Sequence, residues 1–343
     1  SVVARSNTIL KQLVLQAKRE YEAEAIHHIQ IYFADSHGGW RWTDSRHKHP
    51  MSSIVLNPGY KEMLLSDTKD FLNSKKWYAD RGIPFRRGYL LHGVPGSGKS
   101  SLIHAIAGEL MLDIYALSLS AAWINDATLT TLMGRVPARC IVLLEDLDAT
   151  FTRSTGRRSK KDKKRRRTGT SGINGGANTT DALSEVNTLS LSGLLNALDG
   201  VAAAEGRLLF ATTNHLDHLD PALSRPGRMD VWIDFKNASK WQAEALFRNF
   251  FPTSSPSLPR ATSSTSPQRQ PQSKTPRQHT HSPAPLSPSV LSKLAQEFAQ
   301  KVPDEEFSVA ALQGYLLRNK SRPEEAVKGV EAWVEEERRN KEK

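Results

Sequence analysis

The chain has 343 residues, 38% hydrophobic and 24% charged, the balance of an ordinary soluble protein with room for one large domain and a smaller one. Its net charge of +11 is concentrated in Arg157–Arg167, RRSKKDKKRRR, which carries +8 and leaves only +3 elsewhere, so the fold itself need not bind nucleic acid. The single cysteine, Cys140, excludes a disulfide framework and a cysteine-built metal site, and no run of about eighteen apolar residues is present to span a membrane. A first residue that is not Met suggests further sequence upstream, with room for a targeting or anchoring segment.

In chain order, residues 6–25 read as a helix with Ile9, Leu13 and Ala17 on one face. IHHIQIYF and WRWT follow as strands separated by a Gly pair, as in a hairpin. Residues 59–78 read as helical. From residue 88 the pattern alternates: strand GYLLHG, helix 99–110, strand DIYALSL, helix 126–134, strand CIVLLE, then helix 190–199 and strand RLLFATT. Strands alternating with helices predict an α/β fold with a parallel sheet. Two segments interrupt it: 152–188, with the basic run, and 252–288, rich in Pro and Ser. Neither carries enough apolar surface to order itself, and both are expected to be disordered. Residues 289–301, 307–319 and 323–339 then read as three helices, the last opening on Pro323, where a missing N–H is not needed.

GVPGSGKS, spanning Gly93, Val94, Pro95, Gly96, Ser97, Gly98, Lys99 and Ser100 with Ser101 behind it, matches the phosphate-binding loop G-x-x-x-x-G-K-[ST] in full. Its glycines let backbone N–H groups turn toward phosphates, Lys99 reaches the β- and γ-phosphates, and the Ser100 hydroxyl is offered to Mg²⁺. ATP and Mg²⁺ are thus the implied ligands. IVLLEDLD buries four apolar residues and then presents Glu145, Asp146 and Asp148, acids that would be costly at a core strand unless cationic charge met them. In phosphate-loop NTPases a second core strand carries acids to the magnesium. Asn214 ends LLFATTN, placed to orient water or sense a γ-phosphate. In LDPALSRPGRMD, Arg225 and Arg228 either make surface salt bridges or reach a neighbouring subunit's nucleotide as fingers.

With these pieces in this order the sequence resembles the AAA ATPases, and LDPALSRPGR is their own region of homology. KKWYADRGIPFRRGYLLHGVPGSGKSSLIHAIAGEL, LLEDLDATF, LSGLLNALDGV and FSVAALQGYLL resemble, more narrowly, the family of the mitochondrial AAA chaperone that assembles respiratory complex III. The likeness covers about residues 40–151, 189–251 and 289–330. It implies a partial family-specific α+β domain over 1–58, an ATPase α/β domain over 59–251 and a small helical lid over 289–343. It also implies a homo-oligomeric ring with ATP sites between subunits and a protein client. Anchoring in the mitochondrial inner membrane through an upstream segment, with the ATPase domain facing the matrix, belongs to the same implication. Carried over by motif, the phosphate loop binds ATP and Ser100, Glu145 and Asp146 serve Mg²⁺. Asn214 is then the sensor, Arg225 and Arg228 are fingers in trans, and Asp80, Gly82 and Ile83 lie along the adenine.

General AAA enzymes read Asp then Glu at the acidic strand; here the order is Glu145 then Asp146, as in the complex III assembly family. Position gives Glu145 the magnesium and Asp146 the attacking water, with Asp148 structural. Where unfolding AAA proteins carry an aromatic–apolar–Gly pore triplet, SLSAAWINDA has Trp123 and no Gly, which favours packing over a pore paddle. The basic run reads first as a solvated, self-repelling loop, with nucleic acid, anionic lipid or an acidic client as other partners. Two functions follow: an ATP-hydrolysing chaperone or translocase, or a nucleotide-gated scaffold that hydrolyses weakly and recruits partners through the basic insert and the Pro-rich linker.

Overall fold

The computed structural model describes residues 11–19, 28–148, 189–200, 205–225, 227–251 and 286–342. The basic insert lies outside them, as does the Pro-rich stretch up to residue 285, so neither expectation of disorder is addressed. Residues 11–19 are helical. Two compact units divide the chain, residues 1–236 and 237–343.

The first unit is built on one sheet. Its strands are β1 (His28–Ala34), β2 (Trp40–His47), β3 (Arg87–Gly93), β4 (Ile114–Ser118), β5 (Ile141–Glu145), β6 (Leu208–Thr213) and β7 (Val231–Phe235). Their order is β2-β1-β4-β5-β6-β3-β7, and every neighbouring pair is parallel except the β1–β2 hairpin. Helices α1 (Tyr60–Asn73), α2 (Lys75–Asp80), α3 (Lys99–Leu110), α4 (Asp126–Arg135) and α5 (Leu191–Asp199) accompany it. Successive strand residues feed opposite faces, as the pleat demands. Tyr89, Leu91, Ile141 and Leu143 join one apolar layer with Leu64, Phe71, Leu102 and Ile106, whereas Leu90, Val142 and Leu144 join another with Leu129, Leu132 and Leu194. That double burial explains why β3, β4 and β5 read as continuous apolar runs. Asn125 and Ser190 start α4 and α5 by accepting the Thr128 and Gly193 amides.

The second unit holds α6 (Lys240–Phe250), α7 (Pro288–Lys301), α8 (Val309–Arg318) and α9 (Pro323–Glu342). Ser239 and Gln242 form a capping box at α6, and Ser287 and Ser308 cap α7 and α8. Phe247 packs on Phe251 and Phe298, Tyr315 on Trp333, and the Tyr315 hydroxyl donates to the Ala326 carbonyl at 2.7 Å.

Three features differ from the sequence reading. Strand β7 and helix α6 are additional elements. β7 alternates in burial, with Trp232 and Asp234 exposed, and so lacks the continuous buried run of the inner strands. The break between units falls after Lys236, which puts α6 with the lid helices because Phe247 packs into their core. Residues 28–47 join the same sheet. Ile31, Tyr32 and Phe33 pair with Ile114, Tyr115 and Ala116, so the hairpin extends the ATPase sheet.

Candidate nucleotide site

Strand β3 delivers the phosphate loop at its C-terminal end. Gly93, Gly96 and Gly98 take φ values of 122°, 74° and 100°, all in the region that favours glycine. At Gly93 a Cβ would lie 2.1 Å from the Phe235 carbonyl oxygen, which also accepts the Val94 amide at 3.0 Å. Ser97 is buried and its hydroxyl donates to the Val94 carbonyl at 2.7 Å, pinning the turn. Pro95, Gly96 and Ser101 are exposed, while Gly98 and Ser100 are half-buried. The loop opens directly into α3, so the first-turn amides of that helix point out of its N-terminus with no intrahelical acceptor.

Lys99 is buried, and its ammonium donates to the carbonyls of Gly93 and Val94 at 2.8 and 2.9 Å and to Asn214 Oδ1 at 2.8 Å. Burial pushes its pKa down, and the carboxylates of Asp146 and Asp148 pull it back up. Parallel pairing of β5, β6 and β3 is what gathers these groups, since all three strands end on the same side. Glu145 is half-buried, and burial, then the neighbouring Asp146, raises its carboxyl above the usual range. Asp146 is exposed, with a left-handed φ of 52°, and its amide donates to Thr212 Oγ1 at 3.4 Å. Asp148 is buried, and its Oδ1 accepts the Thr213 hydroxyl at 3.1 Å and the Asn214 amide at 3.4 Å. It therefore ties the acidic loop to the sensor strand. Trp123 packs, partly buried, against the layer that holds Leu129 and Leu144.

The arginines lie elsewhere. Tyr89 pairs with Val231, the Asp230 amide donates to the Gly88 carbonyl at 2.9 Å, and so Arg228 sits beyond the N-terminal end of β3. A seven-residue strand spans about 20 Å, so Arg228 lies about a strand length from its own phosphate loop. Arg225 is exposed and makes no hydrogen bond or ion pair through its side chain among the described residues. Arg228 is only 11% exposed, with Nε on Asp199 Oδ2 at 2.6 Å and Nη1 on the Ala222 carbonyl at 2.6 Å.

Asp80, Gly82 and Ile83, expected along the adenine, lie at the end of α2 and in the turn that leads into β3. Ile83 donates its amide to Tyr78, Tyr78 packs on Phe85, and Phe85 accepts the Gly206 amide at 2.8 Å beside the start of β6. That turn precedes the N-terminal end of β3.

Sequence reasoning also passed over Thr212, Thr213, Gly88 and Asp199. The two threonines were legible as the polar end of a buried strand, facing a partner that only the sheet order identifies. Gly88 must be glycine because a Cβ there would lie 1.6 Å from the Arg228 carbonyl oxygen. Asp199 carries no local signal.

The residues present fit a magnesium nucleotide: glycine-borne amides at a helix N-terminus, a buried lysine, a serine hydroxyl and two adjacent acids on one rim. Among the described residues no group of three or more His, Cys, Asp or Glu could hold a metal alone.

Comparison with known families agrees with this geometry. The model for the ATPase family associated with various cellular activities (AAA) matches residues 89–170 and 173–237. The BCS1 N-terminal model matches residues 1–54, and the ATPase lid domain of mitochondrial chaperone BCS1-like proteins matches residues 240–332. The chain belongs to the BCS1 family of AAA ATPases. A probable mitochondrial chaperone BCS1-B of Dictyostelium discoideum is 36% identical over 333 residues, 95% of this chain and 64% of the relative. A probable mitochondrial chaperone bcs1 of Schizosaccharomyces pombe is 35% identical, covering 95% of this chain and 60% of its own length. The human mitochondrial chaperone BCS1 is 40% identical over 246 residues, 71% of this chain and 54% of its own. The chain thus spans between about half and two thirds of these BCS1 relatives. The BCS1-like lid match begins at residue 240, in accord with α6 standing in the second unit.

Proposed function

We propose that this chain is an ATP-hydrolysing chaperone that works as a ring of identical subunits and remodels or moves a protein client. The observation that carries the reading is the position of the arginines. Arg225 and Arg228 lie a strand length from their own phosphate loop, so any nucleotide they serve belongs to another subunit. In this reading the loop amides and Lys99 hold the phosphates, and Ser100 and Glu145 hold Mg²⁺. The metal, when bound, draws charge from the β- and γ-phosphate oxygens. Asp146 orients the attacking water and accepts its proton, Asn214 fixes that water's line of approach, and Arg225 and Arg228 stabilise charge on a neighbour's γ-phosphate. Glu145 and Asp146 share one rim, so each is within the other's field and the division of roles rests on their positions.

The names of the relatives, mitochondrial chaperones, support a mitochondrial location for the protein. By the resemblance of the motifs, it acts at the inner membrane with the ATPase domain in the matrix, in the assembly of respiratory complex III. No helix among the described residues is long and apolar enough to cross a membrane.

Asp146→Asn keeps shape and removes the base. It should leave the ATP dissociation constant within a factor of two and lower kcat by about 10²- to 10⁴-fold. Negligible turnover in the unmodified chain would instead favour the nucleotide-gated scaffold.

The trans geometry has its own test. Arg225→Ala and Arg228→Ala should each lower turnover by about 10³-fold or more when uniform in the assembly. Mixing Arg225→Ala subunits with Lys99→Ala subunits, each inactive alone, should restore activity in proportion to junctions where an intact finger meets an intact loop. No recovery across mixing ratios would refute action in trans.

A further inference from the structure

Helix α5 ends on Asp199, where the helix dipole is negative and an acid is disfavoured. Two arginines meet that end. Arg86 donates Nη2 to the Gly200 carbonyl at 3.3 Å, and Arg228 binds Asp199 through Nε. Arg228 is gripped on its inner side by Asp199 and by the Ala222 carbonyl, and its Nη2 makes no hydrogen bond among the described residues. A guanidinium fixed at two donors with others unspent is preorganised to receive an anion. An exposed arginine such as Arg225 has no such restraint.

We propose that Asp199 is a positioning residue for catalysis in the neighbouring subunit: it holds Arg228 at a set angle with Nη2 free to meet that subunit's γ-phosphate. The proposal rests on the trans-acting role given above to Arg228. Asp199 also pairs with the charge on Arg228, so the finger stays ordered when no phosphate faces it. Arg225, by contrast, is ordered by the phosphate it meets.

The test is steady-state ATP hydrolysis by the assembled protein. Asp199→Asn should lower kcat by about tenfold or more while KM for ATP changes less than twofold, since each subunit's own loop lies a strand length away. In an Arg228→Ala background the same change should have no further effect on kcat. Asp199→Glu, which keeps the charge, should recover a substantial part of the loss. A kcat loss from Asp199→Asn that multiplies with that of Arg228→Ala would overturn the proposal, as would unchanged turnover. A lowered melting temperature in both backgrounds, with kcat falling equally in both, would mark a structural brace and overturn it too. If Arg228→Ala alone leaves turnover intact, the finger assignment itself fails, an outcome distinct from the others.

Discussion

Lys99→Ala should abolish ATP hydrolysis and weaken ATP binding by at least about 100-fold, the loss of a charge-assisted contact to phosphate in a buried site. The ammonium is already in the position such a contact needs: buried, fixed by Gly93, Val94 and Asn214, with Asp146 and Asp148 opposing the downward pull of burial on its pKa. Thermal melting gives a direct check. Saturating ATP at 100 times its dissociation constant stabilises the intact chain by about 2.7 kcal/mol, and that gain should vanish in the variant. The nucleotide-free variant should stay folded, because relief of the lysine's desolvation offsets part of the three lost hydrogen bonds. Hydrolysis within tenfold of the intact chain would show that the phosphates are held elsewhere.

Gly88→Ala should be the most destabilising small substitution in the sheet. The new Cβ would sit 1.6 Å from the Arg228 carbonyl oxygen, 2.7 Å from its carbon and 3.2 Å from Met229 Cα, all backbone atoms of the segment leading into β7. Backbone cannot swing aside as a side chain can, so Asp230 must lose its paired bonds to Gly88, its amide on the carbonyl and its carboxylate on the N–H at 3.1 Å. A cost of about 3 kcal/mol is expected, at the upper end of overpacking, which for a domain of this size lowers the melting temperature by roughly 6–12 °C. The functional signature should be lopsided. ATP binding by the variant's own loop should persist, because the loop is at the far end of β3, while its service as a finger donor in mixed assemblies should fail. A melting temperature within 2 °C of the unmodified chain would show that β7 can shift without strain.

How much of this was legible in the sequence depends on the range of the interaction. GVPGSGKS could be read because its glycines, lysine and serine act within eight residues, and the acids after IVLL because burial and charge change over three. The helices 99–110 and 323–339 were legible from periodicity and from Pro323, with ends close to those observed. What escaped depends on which end of the sheet a segment occupies. Asp199 and Arg228 are twenty-nine positions apart, and only the β3–β7 pairing brings their segments together. Asp148 read as structural, but its partner was not legible. It reaches Thr213 because β5 and β6 are parallel neighbours, a fact of topology rather than of composition.

Strand β3 has a consequence for symmetry. It carries a nucleotide-accepting surface at one end and, through Gly88 and β7, an arginine-donating surface at the other. On the proposed role of the arginines, these are two different patches, so the contact between copies is heterologous and cannot be a two-fold dimer in which the same patch faces itself. Such head-to-tail contacts either close on themselves or grow without limit. In an open arrangement one nucleotide is always left without a donor and one donor without a nucleotide. Closure alone satisfies every copy, so turnover per subunit should rise sharply at the stoichiometry that closes the circle.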